Sequence, residues 1–470
     1  MYAPTLWISL ACLALVSPTS ATLLSQKPAS YGVSVFSSGL TAAATWDKRL
    51  IYEHEHAVAI GEEFRAKGAH VFLGPSCGPM GRSVLAGETG RVSALTLISL
   101  ASLCMSYSKH FIGNEQETQR TQTTEEDGAV INALSSNIDE RTLHEMYLWP
   151  FADAVKAGTA SVMCSYNRVN QTYSCANHHL LSILKDELAL PGYVVPDWYA
   201  THGTASFANA GLNLEMPGPV RADYGASYFG NYLLDAVNDD NVTKSRLNEM
   251  VERVLTLYFF LHQHEDFPAL DPASATALSV NQFGYNTTQF AIKPVPARDV
   301  REYQRNTALE NEKDFGVFGN GAPYPAIGSV YFDYENASIS YEVGTLDQGG
   351  GSGIVRNNEL IAPLDANRES VRKQGGRVQV LLEHKDIVDG KFRSIYPIPD
   401  VCLVFLKAFA AEGRDRESPD LDWNATKVVE SVASLCSNTV VIVNGPGIVL
   451  MPWADNENVT AILSGRVGFV

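Results

Sequence analysis

The stretch Gly192-Tyr193-Val194-Val195-Pro196-Asp197-Trp198 runs an apolar segment directly into a carboxylate and an indole. In a barrel of parallel strands, a charged residue at a strand's C-terminal end points into the active-site mouth. An Asp beside a Trp at such a place suits sugar chemistry. The carboxylate can attack an anomeric carbon, and the indole can stack on a pyranose face. The same Asp could instead cap the helix that follows, and this stretch alone leaves both roles open.

Upstream, Ser161-Val162-Met163-Cys164-Ser165-Tyr166-Asn167-Arg168-Val169-Asn170 is another short apolar strand running into polar residues; before it lies Lys109-His110-Phe111-Ile112-Gly113-Asn114-Glu115-Gln116-Glu117, and after Asp197 lies Gly211-Leu212-Asn213-Leu214-Glu215-Met216-Pro217-Gly218. In this order the four segments resemble glycoside hydrolase family 3, in the form of its secreted fungal β-glucosidases, and the resemblance runs from about Thr41 to about Leu463. It implies a (β/α)8-like barrel domain followed by an α/β sandwich domain, and release of glucose from the non-reducing ends of β-glucosides or cello-oligosaccharides. Such cleavage needs one ionised carboxylate near the anomeric carbon and one protonated carboxyl group near the leaving oxygen. Asp197 is the expected nucleophile. The segment Ala411-Glu412-Gly413-Arg414-Asp415-Arg416 is similar to the family's acid/base segment, which makes Glu412 the expected second group. It follows the apolar run at Val401, at a strand's carboxyl end, where open α/β sheets present ligands. A loop salt bridge with Arg414 or Arg416 is the alternative role.

By the same resemblance, Lys109 and His110 bond sugar hydroxyls, Tyr166 holds the nucleophile's oxygen, Met163 lines the same wall, and Trp198 is a stacking platform. Plain core packing is the alternative for Tyr166 and Met163, and surface charge for the Lys-His pair. Two family segments are missing. No Gln-Asp-x-Pro-Leu-Gly occurs, because Lys27 to Ser38 leads straight into Thr45-Trp46-Asp47. The family's Gly-Gly-Arg-Asn-Trp-Glu-Gly is also replaced, and Arg91 is the residue that could stand in for its sugar-binding Arg. Members also continue past the position of Leu463, so the second domain is expected to be incomplete and the chain a truncated member. Two alternatives stand beside glucosidase activity: a related β-xylosidase or N-acetylglucosaminidase, and a catalytically impaired relative. Gly113-Asn114-Glu115 stands where the glucosaminidase type carries Gly-His-Gly-Asp, which disfavours that type.

The elements that must position these residues fit the same picture. At 470 residues the chain is too long for one small core, so two domains are expected. The net charge of −17 argues against nucleic acid or an anionic membrane as partner. The apolar segment Leu6 to Val16, followed by small residues to Ala21, reads as a secretory signal over residues 1–21. A barrel-type domain is expected over 22–265, a linker over 266–312, and the sandwich over 313–470. Apolar spacing predicts a helix from the Asp139 cap through Val155 with a kink at Pro150, a second over His179–Leu188, and a closing helix over Val242–Leu261. Strands are expected at Val71, Ser161, Tyr193, Phe315, Val401 and Thr439.

Loss of the signal removes Cys12 and leaves six cysteines, as suits an oxidising compartment. Cys164 and Cys175 flank a short loop and are the first expected pair; Cys402 and Cys436 are a second, while Cys77 and Cys104 could pair or stay free. Sequons at Asn170, Asn241, Asn286, Asn336, Asn424 and Asn458 agree with a secreted glycoprotein. No metal or cofactor is expected: Cys-x-x-Cys and His-Glu-x-x-His are absent, and the Gly349–Gly353 loop lacks the Lys-Ser/Thr of a phosphate cradle.

Overall fold

The computed structural model describes residues 56–79, 83–85, 105–125, 127–218, 227–269, 314–325, 342–346 and 360–466. The expected signal, Arg91, Cys104, Asn286 and Asn336 lie outside them. Helix α1 (His56–Ala66) leads into strand β1 (Val71–Phe72). Strands β2 (Met105–Phe111), β3 (Ser161–Cys164) and β4 (Tyr193–Pro196) follow, and all four pair in parallel in chain order. Every residue of β3 and β4 is buried. Unbroken apolar runs of this kind belong to parallel strands covered on both faces.

The crossover from β2 to β3 differs from its expected form. Asp139 does cap its start, accepting from the Thr142 amide, but the helix is divided. A turn at Glu140–Thr142 passes into a π-helical turn, Leu143–Tyr147, and then into α2 (Trp149–Lys156). Pro150 lies in the first turn of α2. There its missing N–H costs nothing, so the proline starts a helix instead of kinking one. The helix expected over His179–Leu188 is likewise split into α3 (His178–Ser182) and a π-helical turn, Ile183–Glu187. The closing helix is α4 (Lys244–Phe260), capped by the Thr243 side chain.

Helix α4 fixes the entry to β4. Its Leu257 packs in one cluster with Tyr193, Val195 and Met163. Its Arg253 guanidinium donates to the carbonyls of Leu190 and Gly192, each at 2.7 Å. Gly192 itself passes so close to β3 that a Cβ there would sit 1.7 Å from the Ala160 carbonyl oxygen.

The second sheet comprises β5 (Asp314–Phe318), β6 (Arg377–Leu381), β7 (Val401–Lys407), β8 (Thr439–Gly445) and β9 (Val459–Arg466). All pair in parallel, in the order β6-β5-β7-β8-β9. The winding direction therefore reverses between β5 and β7, and ligands of open α/β sheets gather at the carboxyl ends beside such a reversal. Strand β7 is wholly buried. Helix α5 (Pro363–Lys373) lies between β5 and β6 in the chain, and α6 (Ala425–Leu435) covers β7 with Val428, Val429 and Val432.

Disulfides join Cys164 to Cys175 and Cys402 to Cys436, whereas the Cys77 thiol is buried and free. Of the described sequons, Asn170, Asn241 and Asn424 are exposed and Asn458 is half-buried. Asn170 and Asn458 spend their amide nitrogens on the carbonyls of Ile138 and Ala433, each at 2.9 Å.

Gly192→Ala should destabilise the first domain by about 3 kcal/mol, because backbone must move to admit the methyl group. A lowered urea midpoint for the tryptophans of that domain, with the second domain unaffected, is the expected result.

Candidate active site

Asp197 follows β4 directly. Its amide donates to the Cys164 carbonyl at 3.0 Å, which continues the β3–β4 ladder one residue beyond the strand. The residue is buried at the mouth of the sheet, 6% exposed. It caps no helix: Oδ1 accepts from the Tyr166 hydroxyl at 3.1 Å and from the Trp198 amide at 2.8 Å, while the next helix begins at Ala205. His110 Nε2 approaches Oδ2 at 3.2 Å. His110 reaches it because the β2–β3 register shifts between Lys109 and Phe111, and such irregularities re-aim side chains.

Burial alone would raise the Asp197 pKa. The His110 contact and the charge of Lys109 outweigh it, against an opposing push from Glu412, and bring the carboxyl down to about 2. Burial, followed by the charge of Asp197, pushes the Tyr166 hydroxyl well above the usual phenol range. Tyr166 therefore remains a donor to an ionised Asp197.

Glu412 arrives from the other sheet, on the loop after β7 and beside the winding reversal. Its Oε1 lies 3.6 Å from Arg120 Nη2. The Arg120 guanidinium sits 4.3 Å from the centroid of the Tyr166 ring. Tyr166 thus touches Asp197 with its hydroxyl and Arg120 with its face, and Arg120 touches Glu412. The loop salt bridge weighed for Glu412 takes other partners. Arg416 is buried and donates to the carbonyls of Ile448, Asp420 and Val84, and Arg414 lies 4.0 Å from Glu417.

The two loops clasp each other reciprocally. The Glu117 carboxylate accepts from the Gly413 amide at 2.8 Å and pairs with Arg120 at 2.7 Å. In return, the Asp415 carboxylate accepts from the amides of Glu117 and Thr118 and from the Thr118 hydroxyl, the shortest contact being 2.6 Å. The Arg416 amide adds a bond to the Leu85 carbonyl at 2.7 Å.

Lys109, His110, Met163, Tyr166, Asp197, Trp198 and Glu412 are therefore brought to one place, and Arg91 lies outside the described residues. Met163 is wholly buried, packed in one cluster with Val195 and the half-buried Trp198. Beside His110 opens a small cleft lined by Ser76, Cys77, Asn114 and Glu115. Sequence reasoning overlooked Arg120 and Asp415. Both stand within three residues of motif acids, Glu117 and Glu412, and that proximity was the available signal.

Comparison with known proteins agrees with this geometry. Residues 91–257 match the glycosyl hydrolase family 3 N terminal domain, and residues 309–468 match its C-terminal domain. The chain belongs to glycoside hydrolase family 3, and its fold is the barrel domain followed by an α/β sandwich domain. It is 41% identical to a "probable beta-glucosidase G" of Aspergillus flavus over 92% of this chain and 57% of that protein. Among solved structures it resembles a β-glucosidase of Chaetomella raphigera, with a TM-score of 0.74 and 30% identity over 94% of this chain and 62% of that one. It also resembles a family 3 β-glucosidase of Neurospora crassa, with a TM-score of 0.76 and 29% identity over 97% and 61%. The chain spans little more than half the length of the curated relatives it matches.

Two outcomes follow from the site. The folded pKa of Asp197 lies below an unfolded value of about 3.9. Its contribution to stability is therefore complete above about pH 4 and lost as pH falls through about 2. Asp197→Asn should flatten that stretch of the acid-unfolding curve. Asp415→Ala removes the acceptor of the clasp, and amide exchange at Glu117 and Thr118 should quicken by about tenfold or more.

Proposed function

We propose that this chain hydrolyses terminal non-reducing β-D-glucosyl residues with retention of configuration. One observation carries the reading: two carboxyl groups from different domains converge on the Tyr166–Arg120 pair, with Asp197 held ionised. Retaining cleavage uses carboxyl groups about 5–5.5 Å apart. In the first step Asp197 forms a bond to the anomeric carbon, the glycosidic bond breaks, and Glu412 gives its proton to the leaving oxygen. In the second step Glu412 takes a proton from water, the water oxygen bonds to the anomeric carbon, and Asp197 departs as carboxylate. Lys109 and His110 bond the sugar hydroxyls, His110 while also facing Asp197. Met163 and Tyr166 form one wall, and the Trp198 indole stacks on the sugar.

The substrates are β-glucosides or cello-oligosaccharides, as the names of the relatives support. We assign the domains to 22–265 and 313–470, joined by 266–312, after a signal over 1–21. Secretion would give the two disulfides their oxidising compartment. Glycans would be carried first at Asn241 and Asn424, whose side chains are exposed. The missing Gln-Asp-x-Pro-Leu-Gly segment favours a second reading, a protein of this fold that binds sugar without turning it over.

Turnover of a nitrophenyl β-glucoside separates the two readings. Where turnover occurs, a 2-fluoro-glucoside should trap a glycosyl ester on the peptide containing Asp197, and a label on another carboxylate overturns that assignment. Glu412→Ala should slow poor leaving groups by at least about 10²-fold while sparing activated ones. Azide should restore its rate by replacing the missing base.

A further inference from the structure

Resting on the two-carboxylate reading above, we propose that Arg120 is the positioning residue that sets the proton affinity of Glu412, with Glu117 as the counterweight that limits its effect. Arg120 is held on three sides. Its plane lies 4.3 Å from the Tyr166 ring centroid, Nη1 is 2.7 Å from Glu117, and Nη2 is 3.6 Å from Glu412. Its side chain is 19% exposed and that of Glu117 is wholly buried, so solvent screens this cluster weakly. A guanidinium does not titrate in the working range, so its charge on Glu412 is permanent. A cation at that distance favours the ionised carboxyl group.

The chemistry makes opposite demands on Glu412. It must be protonated to release the leaving group and ionised to activate water. Arg120 alone would hold it ionised and starve the first step. Glu117, paired to the same guanidinium, withdraws part of that field. Asp197 also acts on both Arg120 and Tyr166. Among the described residues, the other charged groups on the facing elements are Lys109 and His110, beside Asp197 on the barrel side, and Arg414 and Asp415 on its own loop. Asp415 is engaged with Glu117 and Thr118, and Arg416 is turned away into backbone carbonyls. Arg120 is thus a barrel-side cation in direct contact with Glu412, and Glu117 is bound both to it and to the amide of Gly413, next to Glu412.

The test reads the proton on Glu412 itself. The full chain, labelled with [5-13C]glutamate, is titrated by NMR, and the Glu412 resonance is assigned by its loss in Glu412→Gln. Arg120→Gln should raise the Glu412 midpoint by about one pH unit or more. Arg120→Lys should keep it near wild type. Glu117→Gln should lower it, because the unopposed guanidinium then acts fully. A purely structural role predicts no such opposition of sign. An unmoved midpoint in Arg120→Gln, or a rise in Glu117→Gln, overturns the proposal. Should Arg120→Gln not fold, the direction of the Glu117→Gln shift decides alone. The readout needs no turnover. A chain that shows these shifts and cleaves no glucoside keeps this inference and loses the hydrolase reading. In an active chain the alkaline limb of kcat/KM should move with the midpoint.

Discussion

The clasp between the loops that follow β2 and β7 is the constraint on which the rest of the site depends. Asp197 and Glu412 grow from different sheets, and nothing within either sheet sets their separation. Glu117 and Asp415 do so by each accepting hydrogen bonds from the other's loop. Burying a carboxylate is costly unless hydrogen bonds or an opposite charge meet it. Buried Glu117 meets the Gly413 amide and the Arg120 guanidinium, and half-buried Asp415 meets two amides and a hydroxyl. A small displacement of the second domain would break several of these bonds together, so the clasp tolerates few intermediate geometries.

Within that frame, electrostatics divides the labour between two chemically similar groups. Asp197 is more deeply buried than Glu412, yet it is the one held ionised, because His110, Lys109 and the Tyr166 hydroxyl all act on it. Glu412 stands on a half-exposed loop beside Arg120, a cation shared with Glu117. Under the proposed mechanism, opposed environments of this kind would separate a nucleophile from a proton donor.

The sequence made strand ends far more legible than it made contacts. The run ending at Asp197 could be read directly because a period of unbroken apolar residues stops at one charge. The Cys164–Cys175 loop was legible from its shortness. Glu412 was placed at a strand's carboxyl end by pattern, though its role came from family resemblance. The helices at Leu143 and Ile183 were read as regular because apolar spacing does not distinguish a π turn from an α turn. The reversal in the second sheet was not legible, since alternating strands and helices are compatible with several strand orders. Arg120 and Asp415 were missed for a different reason. Asp415 meets Glu117 across 298 residues of chain and Arg120 meets Glu412 across a similar span, and no spacing rule reaches that far.

The clasp also distributes genetic risk unevenly. On the barrel side two of the three donors to Asp415 are main-chain amides, which every amino acid except proline supplies. That strand of the contact is therefore almost indifferent to the codon at positions 117 and 118. On the opposite side a single carboxylate receives all of them, so the loop bearing Glu412 depends for these bonds on the one letter at position 415. A change at that one position would leave the Glu117–Gly413 and Arg416–Leu85 bonds alone to join the two sides.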